Sequence, residues 1–127
     1  ETDWKGERIR PYEKEIQAQA QARGVTVECV RMPVPETSIP TIKEMKRILD
    51  RIDRSLEHSK PVYVHCWGGK GRVGTVVGCF LARRGMAVGN DALAMISELR
   101  KNDVSRREPS PENERQRWMV RSWAKGW

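Results

Sequence analysis

The residues whose types and spacing could do chemistry lie together between Val62 and Thr75. A thiol, Cys66, follows a short apolar run, and Arg72 stands beyond a turn that contains three glycines. A glycine-rich turn at the start of a helix exposes backbone N–H groups, which together with the helix dipole bind a phosphate dianion. The planar guanidinium of Arg72 can donate two parallel hydrogen bonds to the same phosphate. A thiolate held in such a turn is a nucleophile directed at phosphorus.

We call residues 66–72 the cradle. It differs from the nucleotide-binding P-loop, because Lys70 is followed by Gly71 and not by a hydroxyl residue that could hold magnesium. Cys66 and Arg72 are the predicted catalytic residues at its two ends. The predicted phosphate-binding residues are Trp67, Gly68, Gly69, Lys70, Gly71 and Arg72.

The order His65-Cys66, five residues, Arg72 resembles the active-site signature of the cysteine-dependent protein tyrosine phosphatases, and most closely their dual-specificity branch. The resemblance implies a phosphoric monoester hydrolase that works through a cysteinyl-phosphate intermediate, with the arginine holding the phosphoryl group. It implies no metal and no cofactor, and it gives His65 a supporting role in orienting the cradle. Only His58 stands elsewhere, so the sequence offers no imidazole pair for a metal site or a triad.

The resemblance also implies a carboxylic acid on a proline-flanked loop, which protonates the departing oxygen. The segment 33–40 occupies that place, and its only acid is Glu36, where the family usually has aspartate. Val73 is a second departure, because most members have a hydroxyl residue immediately after the arginine, and Thr75 is two positions further on. Gln116 matches a glutamine commonly found in the family at the start of the last helix; the resemblance gives it a role in positioning water, and an amide on the helix surface is the equally weighted alternative. We therefore expect an intact phosphate pocket and first half-reaction, with slower turnover.

Secondary structure is read from periodicity and capping signals. The pattern predicts apolar strands at Val25–Val30 and Pro61–His65. It also predicts five helices: 12–23, one capped by Thr41 and Glu44, 73–84, one capped by Asn90, and a last one opening at Ser110-Pro111 with Met119, Val120, Trp123 and Trp127 on one face. Strands alternating with helices indicate an α/β fold with a central, mainly parallel sheet flanked by helices. The chain, 1–127, is expected to be a single phosphatase-like catalytic domain that lacks the family's first strands, which would precede Glu1.

The composition limits where in the cell the chain is expected to work. The chain has 127 residues, 38% of them apolar, with 24 basic and 17 acidic side chains and a net charge of +7. Its longest nearly apolar run, 73–82, is too short to cross a bilayer, so no stable membrane insertion is expected. The odd number of cysteines and the lack of a signal peptide favour a reducing, cytoplasmic location. Cys29 and Cys79 are expected to be inert thiols, and whether either pairs with Cys66 stays open.

The substrate is the least determined feature. A phosphorylated protein, at tyrosine and also at serine or threonine, is the first expectation, and Trp67 on the cradle rim could stack on a phosphotyrosine ring. Lys70 keeps open a phosphoinositide or inositol phosphate. An RNA 5′ phosphate is a further possible substrate. Three other functions also stay open: a low-turnover phospho-binding module, a sulfur-transfer domain, and nucleic-acid binding by charge alone. Phosphate, sulfate or vanadate should bind in the cradle.

Overall fold

The computed structural model describes residues 5–127, and the strands expected before Glu1 lie outside them. The chain divides into two compact units, Glu1–Pro33 and Val34–Trp127. The helices are α1 (Glu13–Ala22), α2 (Ile42–Glu57), α3 (Gly71–Arg83), α4 (Asn90–Leu99) and α5 (Glu114–Ser122). Unit 2, Val34–Trp127, contains four of them together with every residue predicted to take part in chemistry.

The predicted central parallel sheet is wrong, because residues 5–127 contain no strand. The segments Val25–Val30 and Pro61–His65 are irregular, without the ladder of hydrogen bonds that a neighbouring strand would supply. Their apolar side chains are also not buried as expected: Val25 is 55% exposed and Tyr63 87% exposed. A β-branched run predicts a strand only where a partner strand exists, and residues 5–127 provide none at these segments, although Val64 packs against the core.

Unit 1, Glu1–Pro33, contains α1 and the segment that follows it. Gly24 adopts φ +67° just past the helix, and the N–H of Val25 donates to Ala20 O at 3.0 Å. Arg31 then pairs with Glu13 at 2.6 Å. These contacts hold the irregular segment along its own helix.

In unit 2, α2 begins with the predicted capping box. The hydroxyl of Thr41 accepts a hydrogen bond from the N–H of Glu44, and the Glu44 carboxylate accepts one from the N–H of Thr41 at 2.7 Å. The hydrogen bonds that the Glu44 carboxylate accepts from the backbone N–H and then the hydroxyl of Thr41 hold the pKa of Glu44 below its ordinary value. At the far end of the helix, Asp50 and Asp53 pair with Arg83 of α3 at 2.7 and 3.1 Å, which joins the two helices.

Helix α3 is the centre of unit 2, since it packs against α2, α4 and α5. The close approach depends on Gly78: a Cβ there would lie 2.5 Å from Val120 of α5 and 3.1 Å from Ile96 of α4. The core around α3 also includes Met45 and Leu49 of α2, both fully buried. The helix whose first turn carries Arg72 is therefore fixed on three sides.

Two helix starts differ from the prediction. Asn90 is the first residue of α4 and not its cap, because Gly89 turns the chain at φ +59° one residue earlier. Helix α5 begins at Glu114 and not at Ser110-Pro111, because Asn113 supplies the capping oxygen. Trp127 lies beyond the end of α5 and is 40% exposed, so it is not on the buried face of that helix.

Candidate active site

The cradle leads directly into α3, which begins at Gly71, two residues earlier than predicted. Arg72 therefore lies in the first turn of the helix, where backbone N–H groups have no intrahelical acceptor. Gly69 adopts φ +68°, a left-handed conformation that glycine accepts without strain. This arrangement directs the positive end of the helix dipole toward the turn, which is what an anion site needs.

The nucleophile candidate, Cys66, is half-buried and is a free thiol. His65 is exposed, and its Nδ1 lies 3.4 Å from the backbone oxygen of Cys66, while its ring stacks on Tyr63 with centroids 5.7 Å apart. Trp67 is 61% exposed, and its position on the cradle rim stays a prediction.

Residues 34–40, which we call the acid loop, carry Glu36. The loop is bound to the rest of unit 2 through its backbone: Val34 O accepts from Arg72 at 3.3 Å, Thr37 O from Asn113 at 2.8 Å, and Ser38 O from Gln116 Nε2 at 3.3 Å. Glu36 itself is exposed, at a turn closed by a hydrogen bond from Ser38 to Pro35. The structure therefore brings the loop of the predicted acid to the two helix starts beside the cradle.

A second segment, residues 108–113, also reaches the cradle. Lys70 forms an ion pair with Glu108, and the hydroxyl of Ser110 donates to Lys70 O at 2.8 Å. The carboxylate of Glu112 lies against Gly71, with its Cδ 2.5 Å from the place that a Cβ on Gly71 would take. Lys70 is thus paired with a carboxylate, and a second carboxylate borders the same turn.

Gln116 is fully buried, and both ends of its amide are used. Its Oε1 accepts from the N–H of Glu112 at 3.2 Å, and its Nε2 donates to Ser38 O at 3.3 Å and to Glu112 Oε1 at 3.4 Å. Gln116 therefore ties the acid loop to the 108–113 segment. Its predicted part in positioning water stays a prediction.

Sequence reasoning missed Glu112 and Asn113. An asparagine followed three residues later by the matched glutamine is a helix-start signal, and Asn113 Oδ1 indeed accepts from the N–H of Gln116 at 3.0 Å. Recognising this cap would have placed the helix start correctly. It would also have left Glu112 just outside α5, on the segment that meets the cradle.

Two further side chains are accounted for. The hydroxyl of Thr75 is buried and donates to Gly71 O at 2.8 Å, so it serves the helix backbone. Cys79 is fully buried in the core, and burial raises the pKa of its thiol to about 12, which keeps it protonated and inert. Over residues 5–127 there is no group of three or more His, Cys, Asp or Glu side chains that could hold a metal ion, and no helix long and apolar enough to span a membrane.

Comparison with known proteins identifies a family over most of the chain. The family described as "PTP-SAK: Swiss Army Knife protein, DSP-PTPase phosphatase domain" matches residues 9–116. Two curated relatives from Methanocaldococcus jannaschii, Uncharacterized protein MJ0215 and Uncharacterized protein MJECL20, are 36% and 34% identical over 55 residues, 43% of this chain. The matched region covers 35% and 37% of these two relatives, so the chain spans only part of their length.

Proposed function

Because the chain belongs to the cysteine-dependent protein tyrosine phosphatase superfamily, as a dual-specificity phosphatase-like member, we propose that it hydrolyses phosphoric monoesters through a cysteinyl-phosphate intermediate. The observation that carries the proposal is the convergence of three segments of unit 2. The cradle runs into the N-terminus of α3, and the acid loop and the 108–113 segment are both hydrogen-bonded to it.

In the first half-reaction, the Sγ of Cys66 attacks phosphorus while the bond from phosphorus to the ester oxygen breaks. Arg72 and the first-turn N–H groups of α3 stabilise the negative charge on the phosphoryl oxygens. Glu36 gives its proton to the departing oxygen, so the alcohol or phenol leaves neutral. The product is a phosphoryl group bonded to Sγ, which water then cleaves to release inorganic phosphate.

We favour a phosphorylated protein as the substrate, at tyrosine and also at serine or threonine. The exposed ring of Trp67 offers a stacking surface for the phenyl ring of a phosphotyrosine. Lys70 is paired with Glu108, which lowers its capacity to bind the additional phosphates of an inositol phosphate. We place this activity in the cytoplasm, where a reducing environment keeps the nucleophilic thiol of Cys66 free.

The test compares the parent chain with Cys66→Ser and Arg72→Lys on p-nitrophenyl phosphate, phosphopeptides, phosphoinositides and RNA 5′ phosphates. We expect hydrolysis by the parent that vanadate inhibits, a strong loss in the arginine variant, and phosphate binding without turnover in the serine variant. Undiminished turnover by Cys66→Ser would overturn the mechanism. Binding without hydrolysis by the parent would identify a phospho-binding module, and activity on lipids alone would replace the protein substrate.

The acid is tested separately through the leaving group. Phenyl phosphate has a poor leaving group that needs a proton, whereas p-nitrophenolate departs without one. Glu36→Gln should therefore slow phenyl phosphate hydrolysis by about 10²-fold or more while changing p-nitrophenyl phosphate hydrolysis much less. Equal effects on the two substrates would remove Glu36 from this role.

A further inference from the structure

Glu112 borders the cradle because Gly71 has no side chain. A Cβ at Gly71 would stand 2.5 Å from Glu112 Cδ and 2.9 Å from Gln116 Nε2, which is closer than carbon atoms and amide groups can pack. Gly71 does not adopt a left-handed backbone conformation, so the backbone itself does not call for glycine here. The glycine makes room for a carboxylate at the rim of the phosphate site.

The orientation of that carboxylate is fixed by the buried amide of Gln116. Gln116 accepts from the backbone N–H of Glu112 at 3.2 Å and donates to its Oε1 at 3.4 Å. The second proton on Gln116 Nε2 goes to Ser38 O, so the amide cannot turn without losing this hydrogen bond to the acid loop. Glu112 is nevertheless an exposed residue, so solvent water can reach this side of the cradle.

Charge distinguishes Glu112 from the neighbouring acid. Glu108 is neutralised by Lys70, but Glu112 forms no ion pair within residues 5–127. An uncompensated negative charge beside a dianion site repels the anion, so it opposes simple phosphate binding. Such a carboxylate is better suited to a step in which a proton must be removed.

We propose that Glu112 is the general base of the second half-reaction, an inference that rests on the proposed cysteinyl-phosphate mechanism. A water oxygen attacks the phosphorus of the cysteinyl phosphate and loses one proton to the Glu112 carboxylate. The S–P bond breaks, its electron pair returns to Sγ as the thiolate, and inorganic phosphate leaves. Glu112 then releases the proton to solvent. A base near the water also compensates for Val73, which offers no hydroxyl to assist the departing sulfur.

Glu36 is less well placed for this step. It lies at the exposed turn of the acid loop, and its carboxylate makes no hydrogen bond or ion pair with the rest of the described chain. Glu112, in contrast, is held against the cradle by two hydrogen bonds to one buried side chain. The two glutamates therefore divide the chemistry: Glu36 gives a proton in the first half-reaction and Glu112 removes one in the second.

The first experiment is rapid-mixing kinetics on p-nitrophenyl phosphate with Glu112→Gln. The matched control is Glu114→Gln, because Glu114 pairs with Arg117 and Arg121 along α5. Glu112→Gln should release one nitrophenolate per enzyme in a fast burst and then turn over about 10²-fold or more slowly than the parent. Acid quenching followed by mass spectrometry should find one phosphoryl group on Cys66. The control should show the parent's rates.

The second experiment is chemical rescue. Formate added to Glu112→Ala should restore turnover in proportion to its concentration, whereas an altered fold would not respond to a small carboxylate. Parental turnover in Glu112→Gln, or slow turnover without accumulated phosphoenzyme and without rescue, would overturn the proposal. Failure of the proposed function itself looks different, since Cys66→Ser would then keep its activity and no enzyme would become phosphorylated at all.

Discussion

The bond between Asn113 and the acid loop offers a sharp test of how the site is assembled. Asn113 makes two contacts through different atoms: its Oδ1 caps α5 by accepting from the N–H of Gln116 at 3.0 Å, and its Nδ2 donates to Thr37 O at 2.8 Å. Asn113→Asp keeps an oxygen for the cap but replaces the donor with an acceptor that faces a carbonyl. Asn113→Ala removes both contacts.

The expected losses follow from these contacts. A lost N-cap costs about 1 kcal/mol, and a lost hydrogen bond to the backbone costs about 1 kcal/mol. Asn113→Ala should therefore lower the free energy of unfolding by about 2 kcal/mol, and Asn113→Asp by about half as much. Urea unfolding followed by circular dichroism measures both values.

The activities of Asn113→Asp and Asn113→Ala should not follow their stabilities. Both variants release the acid loop at Thr37, so both should hydrolyse phenyl phosphate more slowly, by a larger factor than p-nitrophenyl phosphate. The reasoning would be refuted if Asn113→Asp matched the parent in stability and in its ratio of rates on the two substrates. It would also be refuted if the two variants were equally destabilised, because the cap would then contribute nothing.

Three predictions concern the scaffold. Gly78→Ala should destabilise the fold by about 1–3 kcal/mol because its Cβ would overlap Val120, and combining it with Val120→Ala should recover part of that loss in urea unfolding. Thr41→Ala should lower the free energy of unfolding by about 1 kcal/mol through loss of a cap. Because the folded pKa of Glu44 is lowered, its contribution is present above its unfolded pKa and disappears as the pH falls through the folded value. A pH series should therefore show the parent and Glu44→Gln converging in acid, and parallel curves would contradict this. Finally, iodoacetamide at pH 8 should label Cys79 only after denaturation, since its thiol is buried with a pKa of about 12. Labelling of Cys79 in the folded protein would show that the core opens.

The sequence predicted best where local rules decide the outcome. Thr41 and Glu44 form the capping box that their spacing indicated. The helix after the cradle was also correct, although it begins at Gly71 and not at Val73. These features depend on residues within a few positions of one another.

The predictions that failed concern features formed by residues distant in sequence. The valines of Val25–Val30 have strand-forming side chains, but a strand needs a hydrogen-bonded neighbour, and this segment has no such pairing within residues 5–127. The contact between Glu112 and Gly71 joins positions that are far apart in sequence, so no local pattern predicts it. The motif identified the cradle, but only the packing of α5 against α3 revealed which carboxylates border it.

The acid loop is anchored entirely by main-chain atoms in these contacts, since the acceptors are three carbonyl oxygens, those of Val34, Thr37 and Ser38. Every amino acid supplies the same carbonyl, so substitutions at Val34, Thr37 and Ser38 leave these three acceptors in place, whereas Ile39 also packs its side chain against the core. The partners on α3 and α5, in contrast, act through particular side chains. Evolution can therefore exchange the acid and its neighbours, as with a glutamate in place of aspartate, while the helices keep the loop in position. Variation in substrate preference among related chains should accordingly concentrate in this loop.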